Sequence, residues 1–289
     1  MLKKSKKRLA WICYITLLAA VFLYLLFPAN AVKKYLEHQV RKASDNAVSL
    51  EIASVRPGFP PCLVIGEAAL VYRQMDALET GRTILSPAYR KLPGIFDTLD
   101  FKISLGEGRA LGWVAMKDAS GSEADNSFYI RLENADLESI VLIRNMSGHT
   151  VSGSLDGTIE FNGGFAGQTG GSGTIELTAS QCTIAMQEAV FGIKQLTFES
   201  IETDLEIEGQ QVNIRQIELK GNQVSARGTG RILIRRPFEN SRIQISATVR
   251  PNPTLARAMG GLLPEKFTSG EGLSLRIAGS LNQPSWQIR

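Results

Sequence analysis

Residues 196–219 read LTFESIETDLEIEGQQVNIRQIEL. Apolar residues recur at every second position: Leu196 with Phe198, Leu205 with Ile207, Val212 with Ile214, Ile217 with Leu219. Mostly Glu, Asp, Thr, Asn and Gln stand between them. A period of two gives a strand one apolar face and one wet face. The alternation fills residues 151–249. It takes in Leu155, Ile159 and Phe161, then Ile175 and Leu177, then Cys182, Ile184 and Met186. Ile232 and Ile234 continue it, and Ile243, Ile245, Ala247 and Val249 close it. Turn residues separate the runs at Asn162-Gly163-Gly164, Gly209, Gly221-Asn222 and Glu239-Asn240. Short alternating runs joined by such turns predict an antiparallel meander.

Toward the N-terminus the pattern persists in Leu99, Phe101, Ile103 and Leu105, then Val114 and Met116, then Phe128, Ile130 and Leu132. Residues 118–126 are polar and predict a loop. Residues 48–52 and 62–72 are strand-like. Pro87 and Pro93-Gly94 predict irregular structure over 74–94. Asp136 is a good N-cap, with Leu137, Ile140, Val141 and Ile143 at helical spacing and Gly148 just past the end. One short helix is expected there, closing an end or edge of the sheet. A second is expected over 255–263, before Pro264. Toward the C-terminus, Leu273, Leu275, Ile277, Gly279 and Leu281 form the last strand.

The first eight residues carry five cations, and residues 9–27 contain no charge. Nineteen residues suffice to span a bilayer as a helix. Trp11, Tyr14 and Tyr24 lie toward its ends, and the basic leader predicts a cytoplasmic N-terminus. Ala29-Asn30-Ala31 also fits a signal-peptide cleavage site, but the apolar run is longer than the usual h-region, which favours an uncleaved anchor. Residues 28–47 follow as a basic amphipathic helix. Val32, Tyr35, Leu36 and Val40 recur at helical spacing, and Lys33, Lys34, Arg41 and Lys42 are candidates to face a membrane surface. Packing against the sheet is the equal alternative. The expected order is a leader at 1–8, a transmembrane helix at 9–27, this helix, and a β-sheet domain over 48–289.

The net charge of +4 resides in the leader, since the rest holds 27 Lys and Arg against 28 Asp and Glu. That removes the support for a nucleic-acid partner. The glycines between Gly163 and Gly173 lack a following Gly-Lys-Ser/Thr and lead into a strand, so a hairpin connection is expected and not a phosphate loop. Glu202, Asp204, Glu206 and Glu208 form a line on one strand, better suited to pairing with cations on the next strand than to converging on a metal. Two histidines, His38 and His149, have no nearby partner for zinc. With no G-x-S-x-G and no H-E-x-x-H, no catalytic, cofactor or metal residue is assigned, and the chain is expected not to be an enzyme. Cys182 is expected to be buried and unbridged to Cys62.

In its order of features the chain resembles the type II secretion system protein N family (general secretion pathway protein N), in its delta-proteobacterial form. The resemblance rests on the basic leader and span ending Leu25-Leu26-Phe27-Pro28, the amphipathic segment after it, and Gly171-Ser172-Gly173-Thr174-Ile175-Glu176-Leu177. It continues through Ile217-Glu218-Leu219-Lys220-Gly221, Gly228-Thr229-Gly230-Arg231-Ile232 and Ile277-Ala278-Gly279-Ser280-Leu281. Pro284 falls later after the last glycine than the family pattern has it. The chain is also similar to the wider AsmA-like group, with its grooved, lipid-conducting sheets. These likenesses imply a single-pass protein of the bacterial inner membrane with its bulk in the periplasm. Its implied partners are the inner membrane and other type II secretion subunits, and its role is structural or in assembly. The alternative is a lipid-binding or lipid-bridging module.

About ten alternating runs make a sheet roughly 45 Å wide, and two short helices cannot cover it. An all-β fold is therefore expected, with a long, strongly curved antiparallel meander, taco-like or sandwich-like, behind the N-terminal transmembrane helix. Ile175, Leu177, Leu205, Ile207, Ile214 and Ile232 are the candidate lining of an apolar groove.

Overall fold

The computed structural model describes residues 11, 14–15, 18, 21–22, 24–44, 46–73, 75–89, 97–115, 126–163, 171–190, 193–235, 240–252 and 272–288. The loop expected over 118–126 and the helix expected over 255–263 fall almost wholly outside them. So does much of 9–27. Among the described residues no helix is long and apolar enough to cross a membrane.

The protein is mostly β. Helix α1 (Ala29–Ala43) precedes β1 (Val48–Ile52), β2 (Val55–Gly58), β3 (Cys62–Ile65), β4 (Ala68–Tyr72), β5 (Met75–Thr80) and β6 (Thr83–Pro87). Next come β7 (Thr98–Leu105), β8 (Gly108–Ala115) and β9 (Asn126–Asp136), then a 3-10 turn (Leu137–Ser139) and α2 (Val141–Ser147). The remaining strands are β10 (Thr150–Gly163), β11 (Ser172–Val190), β12 (Ile193–Glu208), β13 (Gln211–Gly221), β14 (Val224–Leu233), β15 (Arg242–Pro251), β16 (Leu273–Ser280) and β17 (Gln283–Ile288). Fourteen strands form one antiparallel sheet in the order β2, β3, then β6 to β17 in sequence. At about 4.8 Å per strand that sheet is roughly 60 Å across. Strands β1, β4 and β5 form a second, three-stranded sheet.

Two sequence expectations are corrected here. Residues 62–72 are two strands, not one: Gly66 and Glu67 break them, and β3 and β4 go to different sheets. Residues 75–80 and 83–87 are strands β5 and β6 where irregular structure was expected. Pro87 is tolerated because it ends β6.

The small sheet, α1 and α2 lie at the N-terminal part of the large one. Ile52, Val55 and Ile65 are buried together, and Phe27, Val32 and Leu36 pack on them. Helix α1 is therefore a cap on the sheet through Val32 and Leu36, and Glu37 Oε1 accepts from the Ile52 N–H at 3.3 Å. A larger core joins Leu105, Ala110, Ala135, Leu137, Leu155, Ala179, Cys182 and Phe198, with Leu78 of β5 and Ile140 and Ile143 of the α2 segment against it. Asp136 caps the 3-10 turn by accepting from the Glu138 N–H at 3.0 Å, and Gly148 ends α2 in the left-handed conformation. Cys182 is 1 % exposed, and it and Cys62 are free thiols. Burial pushes the Cys182 thiol up.

A line of register shifts crosses the sheet beside this core. Shifts fall between Leu155 and Gly157 against β9, between Ser152 and Ser154 against β11, and between Ile214 and Ile217 against β14. Asn134 and Gln181 adopt positive φ on this line. An inserted residue flips the face on which later side chains point. Hence Ile175, Leu177 and Ala179 share a face with Cys182 and Ile184, although their numbers change from odd to even. The same switch separates Phe198 from Ile201, and Ile214 from Ile217.

Candidate functional site: an apolar face that crosses every strand

Direct cross-strand partners point to the same side of a sheet. Following partners from strand to strand therefore traces one face. The trace runs Pro57, Leu63, Leu85, Phe101, Gly112, Ile130 and Ile159. It continues through Ile175, Leu205, Ile214, Gly230, Ile245, Ile277 and Trp286. All fourteen strands contribute, and every contribution is apolar or glycine. The row on the opposite face runs Asp100, Trp113, Tyr129, Glu160, Thr174, Glu206, Asn213, Arg231 and Gln244.

Parallel rows widen the apolar strip. One holds Leu132, Gly157 and Leu177. Another holds Ile207, Val212, Ile232 and Ile243. All six candidate groove residues thus lie on this one face. Five of them, Ile175, Leu177, Leu205, Ile207 and Ile232, are half-buried. Ile214 differs, being 4 % exposed. The ladder shifts beside it on both sides, next to Leu205 and after Ile214 itself, and such shifts bend the strand locally.

Elsewhere on this face Phe198, Val212 and Leu273 are buried, at 4 %, 8 % and 8 %. Residues of the central row on β14 to β16 stay half-buried, and Trp286 on β17 is 64 % exposed. Large side chains lean over glycine neighbours in the row. A Cβ on Gly112 would lie 2.7 Å from the Phe101 ring, and one on Gly230 would lie 3.1 Å from the Ile245 side chain.

The opposite face carries most of the charged residues, and several of them pair across strands. Lys220 Nζ lies 2.9 Å from Glu202, Arg215 lies 2.6 Å from Glu206, and Arg227 lies 2.6 Å from Glu218. Two members of the acidic line on β12, Glu202 and Glu206, thus pair with cations of β13, while Glu208 Oε2 accepts from Asn213 Nδ2 at 3.3 Å. Lys220 holds the Glu202 carboxyl below the usual carboxylate range, and Glu202 raises Lys220 in return. Among the described residues no group of three His, Cys, Asp or Glu side chains converges to hold a metal ion.

Of the four candidate membrane-facing cations on α1, Lys34, Arg41 and Lys42 are exposed. Lys33 is turned toward the packed side, 3.9 Å from Glu37. The sequence reading missed how far the face extends: β2, β3 and β6 carry it too, through Pro57, Leu63 and Leu85. Residues 83–87 read as irregular, and β2 with four residues is too short to show an alternation, so neither was marked.

Searches of protein-family models, curated proteins and solved structures found no match to this chain.

Proposed function

We propose that this protein is a membrane-anchored β-trough that takes lipid acyl chains along its apolar face. The unbroken apolar row across fourteen strands, half-open from β14 to β16, carries this reading. A dry core requires no such continuity, and an open apolar face of this extent in water demands an apolar occupant. Glycine and alanine on the apolar side, with bulges across β9 to β13, favour bending toward that side and so a trough. The anchor reading is supported by the described apolar residues of the first segment. Trp11, Phe22, Tyr24 and Leu25 are each more than half exposed, at 66 %, 54 %, 59 % and 72 %. The expected setting is the bacterial inner membrane with the sheet in the periplasm.

The test is lipid analysis of the protein extracted in mild detergent. Stoichiometric phospholipid in the wild type is expected, with a loss in Ile245→Asp while the fold is kept. Ile245 is half-buried, so a carboxylate there can reach water. A wild type free of lipid, or a folded Ile245→Asp with unchanged lipid, contradicts the trough.

One observation favours a second reading, a docking role within the type II secretion machine. Among the described residues no strand pairs with the outer side of β17, which displays Trp286. Co-purification of secretion subunits that is lost on Trp286→Ser would support it. Their absence would leave the lipid reading alone.

A further inference from the structure

On the polar face, five cations of the ladder are matched by carboxylates, among them Arg109 with Glu133 at 2.7 Å and Arg227 with Glu218. One corner gathers three that are not. Arg231, Arg235 and Arg242 line a cleft of about 960 Å³ with Gln211, Asn240 and Gln244. No Asp or Glu is among the described residues that line it. None of the three arginines has a carboxylate within ion-pair distance among the described residues, whereas five other ladder cations do.

The corner is held in place by the backbone. The Ser241 side chain is fully buried, and its Oγ accepts from the Arg235 N–H at 3.0 Å. Its carbonyl accepts from the Leu281 N–H at 2.9 Å, and the Ile234 N–H donates to the Gln210 carbonyl at 2.8 Å. The end of β14 is thereby tied to the turn before β13 and to the turn before β15. Arg231 is steered by donating from Nε and a terminal nitrogen to Gln244 Oε1, at 3.1 and 2.9 Å. That partner is neutral and leaves the charge uncompensated.

Three guanidiniums on a braced cleft with neutral amide companions suit an anion with several oxygens. We infer that this corner binds a phosphate group. The source is either free phosphate or the headgroup of a lipid. Leu233 and Ala278, on the same face as the arginines, also line the cleft. An acyl chain attached to the phosphate therefore has apolar surface beside it there. The site stands whether or not the trough carries lipid, because the arginines lie on the polar face.

The test is calorimetric titration of the full chain in non-ionic detergent at fixed salt. One probe is inorganic phosphate and the other is dihexanoyl phosphatidic acid. Saturable binding is expected, weakened roughly 10-fold or more in Arg231→Gln/Arg235→Gln/Arg242→Gln, and partly in Arg231→Gln alone. Arg109→Gln, on the same face but outside the cleft, should bind as the wild type does. Equal affinity for the two probes identifies phosphate itself, and tighter phosphatidic acid identifies the headgroup. Absence of saturable binding by either probe overturns the site. So does a folded triple variant that binds like the wild type, or an equal loss in Arg109→Gln.

Discussion

At the scale of single residues, close backbone approach and charge pairing make separate predictions. A Cβ on Gly108 would lie 1.8 Å from the Asn134 carbonyl oxygen, a backbone atom that cannot yield without opening the β8–β9 ladder. Gly148, with φ of 70°, has nothing within 4 Å of the same position. Gly148→Ala should therefore cost only the left-handed penalty, about 1 kcal/mol. Gly108→Ala should abolish cooperative folding, and urea melts of the two variants will separate them. The Glu202 and Lys220 pair predicts a pH signature. The Glu202 pKa is lowered on folding, so its contribution is complete above its ordinary value of 4.5 and is lost as pH falls below that. The Lys220 pKa is raised, so its contribution is complete below 10.5 and is lost as pH rises above that. The wild type should thus exceed Glu202→Gln in Tm by a constant, salt-sensitive margin at neutral pH. The margin should shrink in acid, because an exposed pair is screened and its carboxylate protonates.

At the scale of elements, α1 is the piece whose placement the sequence left balanced. Val32 and Leu36 pack on Ile52, Val55 and Ile65, so the helix caps the sheet while Lys34, Arg41 and Lys42 remain outside. Leu36→Ala should destabilise the protein by about 2 kcal/mol, read as a lower urea midpoint at unchanged slope. No change would place the apolar stripe of α1 elsewhere. Period-two alternation made β7 to β16 legible, because those strands have one wet face. Asp136 and Gly148 made the short helical segment legible through their capping roles. The break at Gly66 and Glu67 was not legible, since Leu63, Val64, Ile65, Leu70 and Val71 read as one apolar run. What separates them is pairing with distant partners: Leu63 with Leu85, and Leu70 with Leu50. The changes of parity at Gln181 and after Ile214 stood in the sequence, but only register shows that they are bulges. The arginine corner was hidden for a related reason. Arg231, Arg235 and Arg242 are cations scattered through alternating strands until a hairpin end and a buried serine gather them.

At the scale of the whole molecule, the distribution of cover carries the account. The small sheet, α1 and α2 cover the N-terminal part, where the dry core lies. The row continues beyond them to Trp286, half-open on β14, β15 and β16. The large sheet is thus a stable scaffold at one end and an apolar surface at the other. The most direct test is photo-crosslinking in living cells, with a photoreactive residue at Ile245 on the apolar face or at Gln244 on the polar one. The account predicts lipid adducts at 245 and none at 244. No lipid adduct at 245, or equal adducts at both positions, would contradict it.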